Sequence, residues 1–105
     1  DAVINLAAWA ADASASAIDQ LGKTGEIKLG TFDMSASVLE RISNGTQAMA
    51  IDQQPYLQGF LATSMLFANL KFGTEIATQP VLTGPAIVDA SNVATAIEGV
   101  KLGAR

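Results

Sequence analysis

Short apolar runs alternate along the chain with stretches in which apolar residues recur at helical spacing. Val3, Ile4, Asn5, Leu6, Ala7 and Ala8 read as a short strand, and the alanine-dense stretch that follows to Leu21 reads as a helix stopped by Gly22. Lys23, Thr24 and Gly25 make a polar turn before a second strand-length run over 27–32, which carries Ile27, Leu29 and Phe32. Ser37 followed by Glu40 has the spacing of a capping box, with Ser35 a competing cap just upstream, and Val38, Leu39 and Ile42 form the apolar stripe of a helix that Asn44 and Gly45 end. Residues 47–51 are a third apolar strand. Pro55 then fits the first turn of a long helix, where its missing N–H is harmless. Leu57, Phe60, Leu61, Met65, Ala68 and Phe72 predict that this helix lays one broad face on a sheet until Gly73. Pro80 to Leu82 and Ala86 to Val88 look extended on either side of a Gly84-Pro85 turn, and Asp89 or Ser91 caps a last helix carrying Val93, Ile97 and Val100.

Strands that alternate with helices and read as continuously apolar predict an α/β fold, a parallel β-sheet covered by helices on both faces. In such sheets ligands gather beyond the carboxyl ends of the strands, where loops converge and helix N-termini offer unbonded N–H groups. The ends read as Ala8 and Trp9, then Phe32 and Asp33, then Asp52, Gln53 and Gln54. An aromatic ring beside a carboxylate and an amide can hold a small polyhydroxylated molecule: the ring covers a C–H face while Asp and Gln bond hydroxyls that would be costly to leave unpaired. Each residue also has a plainer role. Phe32 can close the core, Asp33 can cap the next helix, Asp52 and Gln53 can shape the turn before Pro55, and Trp9 can be a core or interface residue.

Composition narrows the chemistry. The 105 residues contain no cysteine and no histidine, which excludes thiol nucleophiles, histidine bases, zinc fingers and iron–sulfur ligation and leaves only oxygen-liganded metals open. A disulfide-free chain suits oxidising and reducing surroundings equally. Six basic residues, scattered singly, against ten acidic ones give a net charge of −4, which argues against nucleic-acid binding. No run of 18 apolar residues offers a membrane span. Asp33 and Asp52 could pair as acid and base or hold Mg²⁺, but the phospho-acceptor pattern that would use them needs acidic residues and a lysine at other strand ends that are absent here. The glycines match neither GxGxxG nor GxxxxGK[ST]. No cofactor and no catalytic set is therefore expected. Because Asp1 stands directly before an apolar run, an N-terminal portion is expected to have been processed or cut away.

Three segments carry a family resemblance: Gly25 to Asp33 (GEIKLGTFD), Ile42 to Gly45 (ISNG) and Ala50 to Phe60 (AIDQQPYLQGF). A strand ending in Phe-Asp, a helix ending in Asn-Gly, and a strand ending in Gln just before a helix with Gly59 in its first turns resemble the C-terminal lobe of a type I periplasmic binding protein, the ribose-binding-like component of an ABC sugar importer. The resemblance implies that Asp33 accepts from sugar hydroxyls, that Phe32 walls the pocket and that Gln53 donates and accepts at a further hydroxyl. Where the family often has Asn-Asp this chain has Ala8 and Trp9, so Trp9 enters as a stacking candidate only. Complete members have about 300 residues, two domains of usual size. Residues 1–105 would then be one partial domain with 80–92 as a crossover toward the other lobe. The partners implied are a sugar or polyol, a missing N-terminal lobe and an inner-membrane ABC permease, in the periplasm, with hinge closure and no chemical step. A fragment of this kind could also associate with itself through uncovered surface. The effector domain of a LacI-type transcription regulator is the alternative of the same fold, disfavoured by the absence of a basic helix-turn-helix segment.

Overall fold

A computed structural model describes residues 1–76 and 78–105. The order is β1 (Ala2–Asn5), α1 (Ala8–Gln20), β2 (Lys28–Phe32), α2 (Ala36–Ser43), β3 (Met49–Asp52), α3 (Pro55–Phe72), β4 (Ala86–Asp89) and α4 (Val93–Lys101). The strands form one sheet in the order β1-β2-β3-β4, and the α/β class expected from the alternation is the class observed. β1, β2 and β3 are parallel, whereas β4 runs antiparallel to β3, with Asp52 opposite Ala86 and Met49 opposite Asp89. The reason lies in the connection. A parallel crossover needs a helix that packs back on the sheet and delivers the chain to the strand's starting edge. Here α3 buries none of its residues, and the chain returns through residues 78–85 to the carboxyl end of β3, so β4 starts there and runs backwards.

Register divides the sheet into two unlike faces. Val3, Asn5, Leu29, Thr31, Ala50, Asp52 and Val88 share one face, and Ile4, Gly30, Phe32, Met49, Ile51 and Ile87 share the other. On the first face α1, α2 and α4 close a core of Ala11, Val38, Leu39, Ile42, Ala50, Val88, Val93 and Ala96. Each large aliphatic side chain there contributes on the order of 1.5–3 kcal/mol by leaving water. The second face, expected to be covered as well, lies open among the described residues, with Ile4 53% and Ile87 45% exposed. The runs read as continuously apolar because both faces are apolar, not because both are buried. Glycine at position 30 makes room on the open face, since a Cβ there would stand 2.7 Å from Ile4 Cδ1.

Local signals chose between competing starts and stops. Ser35, not Ser37, caps α2 by accepting from the Val38 N–H at 3.2 Å. Ser37 instead donates to Asp12 on α1 at 2.8 Å, and Arg41 pairs with the same carboxylate at 2.8 Å. β1 stops at Asn5, three residues short of the expected end, because the alanines that extend the apolar run are better helix formers and α1 takes them from Ala8. Neither Asp89 nor Ser91 caps α4. Asp89 instead accepts from the Ser91 N–H and hydroxyl in the turn before Asn92, the residue that precedes the helix.

α3 starts at Pro55 and ends at Gly73 in the left-handed conformation, as the sequence predicts, but it does not dock on the sheet. Phe60, Leu66, Phe67 and Leu70 stand more than half exposed along one side, and Phe72 is 69% exposed on the opposite one. A helix apolar on every side is one that other polypeptide normally surrounds. Standing off the sheet, it stretches the molecule to 59 Å and raises the radius of gyration to 17.1 Å, against about 13 Å for a compact chain of this length.

Candidate functional site

The carboxyl ends of β2 and β3 lie side by side, with Phe32 opposite Ile51. Just beyond them the backbone twice enters the left-handed region with side-chain-bearing residues, at Asp33 (φ 66°) and Gln54 (φ 56°). Such conformations are disfavoured for L-residues and persist where surrounding bonds hold them, often at functional sites. Asp33 is anchored by its own N–H, which donates to the Ile51 carbonyl at 2.9 Å. Its carboxylate then meets Gln53, whose amide Nε2 donates to Asp33 Oδ1 at 2.5 Å. Among the described residues Asp33 Oδ2 and Gln53 Oε1 accept no hydrogen bond, so the pair keeps two acceptors available to an incoming hydroxyl.

Further bonds hold the turn that carries Gln53. Its carbonyl accepts from Gln58 Nε2 at 2.7 Å and from the Thr83 hydroxyl at 3.1 Å. The Gln54 N–H donates to Asp52 Oδ1 at 2.8 Å, and the Gln54 side chain donates to the Thr83 carbonyl. Gly84 packs against this turn so closely that a Cβ on it would lie 3.1 Å from the Asp52 carbonyl oxygen. Beside the pair opens a crevice of about 730 Å³ between α3 and the return segment, with Phe32, Ile51, Leu61, Met65 and Pro85 as apolar walls and Gln53 on its rim. That size is in the range of small-molecule pockets.

The structure thus brings Phe32, Asp33 and Gln53 together at adjacent strand ends, Phe32 and Gln53 lining the crevice and Asp33 beside it, bonded to Gln53. Trp9 is not among them: it sits in the first turn of α1, 79% exposed, and does not line the crevice. The shift follows from β1 ending early, which leaves Asn5 as the true strand end, its Oδ1 accepting from Ser14 at 2.9 Å. Asp52 lies on the helix-covered face, 2% exposed and paired with Arg105, so it does not join Asp33 as a metal or acid–base partner. No group of three or more His, Cys, Asp or Glu side chains among the described residues is placed to hold a metal. Gln58, Thr83 and Arg105 carry no local signal that would mark them for these roles. Gln54 stands at a strand end in the sequence, and the proline after it restricts its backbone, but its left-handed turn and its bond to Thr83 emerge only in the fold.

With this geometry in view, the chain can be set beside known proteins. Residues 1–75 match the family model for the periplasmic binding protein domain, and the chain belongs to that family. It is 33% identical over 76 residues, 72% of its length, to the xylose/arabinose-binding protein XylF of Sulfolobus acidocaldarius, of which it spans 19%. Its fold matches a carbohydrate transporter of Acidothermus cellulolyticus solved with myo-inositol, at a TM-score of 0.84 and 38% identity, covering all of this chain and 36% of that one. It also matches an ABC transporter solute-binding protein of Agrobacterium vitis bound with α-D-tagatopyranose, at a TM-score of 0.70 and 32% identity, covering 88% of this chain and 30% of the other. The chain therefore spans about a fifth to a third of the proteins it resembles.

Proposed function

We propose that this chain is part of the solute-binding component of an ABC-type carbohydrate importer, holding a sugar or polyol between two lobes that close about a hinge. The observation that carries the reading is the Asp33–Gln53 pair beside Phe32 at adjacent strand ends, in a chain 38% identical to a transporter held with myo-inositol. Asp33 accepts from ligand hydroxyls, Gln53 both accepts and donates, and Phe32 meets a C–H face. Nothing is covalently transformed, and the work is done by closure. The second lobe supplies the opposing half of the pocket and covers α3 and the open sheet face. Apolar surface of that extent, in a chain spanning 36% of its solved relative, supports such a lobe. The protein works on the periplasmic or outer side of the membrane and delivers its ligand to a permease.

Thermal melting and Trp9 fluorescence against pentoses, hexoses and cyclitols test this reading in the complete polypeptide. Ligand at a hundred times its Kd should stabilise by about 2.7 kcal/mol, and the shift should vanish in Asp33→Ala and Gln53→Ala. A panel that moves neither signal in the wild type overturns the reading. The chain alone, as half a site, should respond weakly, since it cannot enclose the ligand.

A further inference from the structure

A buried ion pair lies directly behind the turn that carries Gln53. Asp52 is 2% exposed, and its two oxygens have different partners: Oδ1 accepts from the Gln54 N–H at 2.8 Å, and Oδ2 accepts from Arg105 Nε at 2.6 Å. Arg105 comes from beyond α4, 53 residues away in sequence. Its stem lies against Gly99, where a Cβ would approach Arg105 Cβ to 3.2 Å and Cδ to 3.3 Å. The missing side chain on α4 leaves the groove in which the arginine lies.

We propose that Arg105 is a positioning residue for the ligand site, acting through Asp52. Gln54 sits in a left-handed conformation immediately before a proline, a place where the chain would ordinarily be extended. Its N–H is held there by Asp52 Oδ1. A carboxylate this buried keeps its orientation only while both oxygens are satisfied, because an unpaired buried charge is heavily penalised. Arg105 satisfies the second oxygen and so fixes the direction of the first. Without it the least costly response is for Asp52 to turn toward water, which releases Gln54. Gln53 precedes Gln54 directly and reaches Asp33 only from the geometry this turn enforces. The effect on ligand rests on the proposed function, whereas the latch itself rests on the bonds alone.

The test uses the complete polypeptide, with myo-inositol as the calorimetric probe and amide hydrogen exchange as the structural one. Arg105→Met keeps the stem and removes the charge. It should weaken myo-inositol binding at least tenfold and speed exchange of the Gln54 amide at least tenfold, while Val88 in the core strand exchanges as before. Arg105→Lys, which keeps the charge, should recover part of both. Gly99→Ala displaces the stem while leaving both charges in place and should reproduce the effect in milder form, although helix propensity alone would make it stabilising; it decides the matter if Arg105→Met fails to fold. A merely structural arginine would accelerate exchange uniformly and leave affinity unchanged, and that pattern overturns the proposal, as does an unchanged Gln54 amide in Arg105→Met. If the wild type binds none of the pentoses, hexoses and cyclitols, the importer reading falls, and the Gln54 exchange rate alone still decides whether the latch exists.

Discussion

The two faces of the sheet obey the same pleat and carry similar aliphatic residues, yet one is a finished core and the other is open surface. On the finished face Ala50 and Val88 meet Val38, Leu39 and Ile42 of α2 and Val93 and Ala96 of α4, all of them buried. On the open face Ile4 and Ile87 remain about half exposed, and α3 extends away with Leu70 78% exposed. Apolar composition alone does not make a core; what decides is whether the chain supplies a second layer within reach. This polypeptide supplies one for the first face and, among the described residues, none for the second face or for α3.

That contrast can be broken by matched substitutions. Ile42→Ala, in the closed core, should cost about 2–5 kcal/mol of unfolding free energy in urea titrations. Leu70→Ala should stay within about 0.5 kcal/mol, and any light-scattering mass above that of one chain should fall in Leu70→Glu, where a charge opposes association through α3. Equal costs for the two alanine variants would mean that α3 is packed in solution after all. A smaller effect sharpens the finished side: Ser35→Ala removes the cap of α2 and should cost about 1 kcal/mol, whereas Ser37→Ala, having no cap to lose, should cost less.

The smallest effect is electrostatic. Hydrogen bonds from Ser37 and then Arg41 hold the Asp12 carboxyl below the usual carboxylate range, and the Ser91 hydroxyl and N–H do the same for Asp89. A carboxyl whose folded pKa lies below its unfolded value of about 3.9 adds stability that is complete above that value and lost as pH falls through the folded one. The melting temperature should therefore show no change from these groups between about pH 6 and pH 8, fall below about pH 4, and fall less steeply in Asp12→Asn.

The fold was legible where the signal is local. Gly22 and Gly73 stop their helices, Pro55 starts one, and the Phe32-Asp33 and Gln53-Gln54 ends lie where the apolar runs give out. It was not legible where the determinant is distant. The direction of β4 depends on whether α3 packs on the sheet, which no spacing within α3 reveals. Trp9 was misplaced because Ala7 and Ala8 satisfy a strand pattern and a helix pattern alike, and propensity resolved them toward the helix. Arg105 has no motif at all; its role depends on Gly99 and on a carboxylate half the chain away. The candidate site is therefore readable as residue types at strand ends, while the scaffold that holds them is a property of the folded object.

The bond between Gln53 and Asp33 has a consequence for kinetics. Immobilising a flexible side chain during binding opposes association by about 0.5–1.5 kcal/mol, and here both side chains are already ordered against each other before any solute arrives. On the proposed two-lobed reading, an arriving hydroxyl would meet acceptors already in place, so little of the encounter would be lost to rearrangement at this half of the pocket. The waiting time for capture would then be set by the closing motion, and the residence time by how readily the lobes reopen.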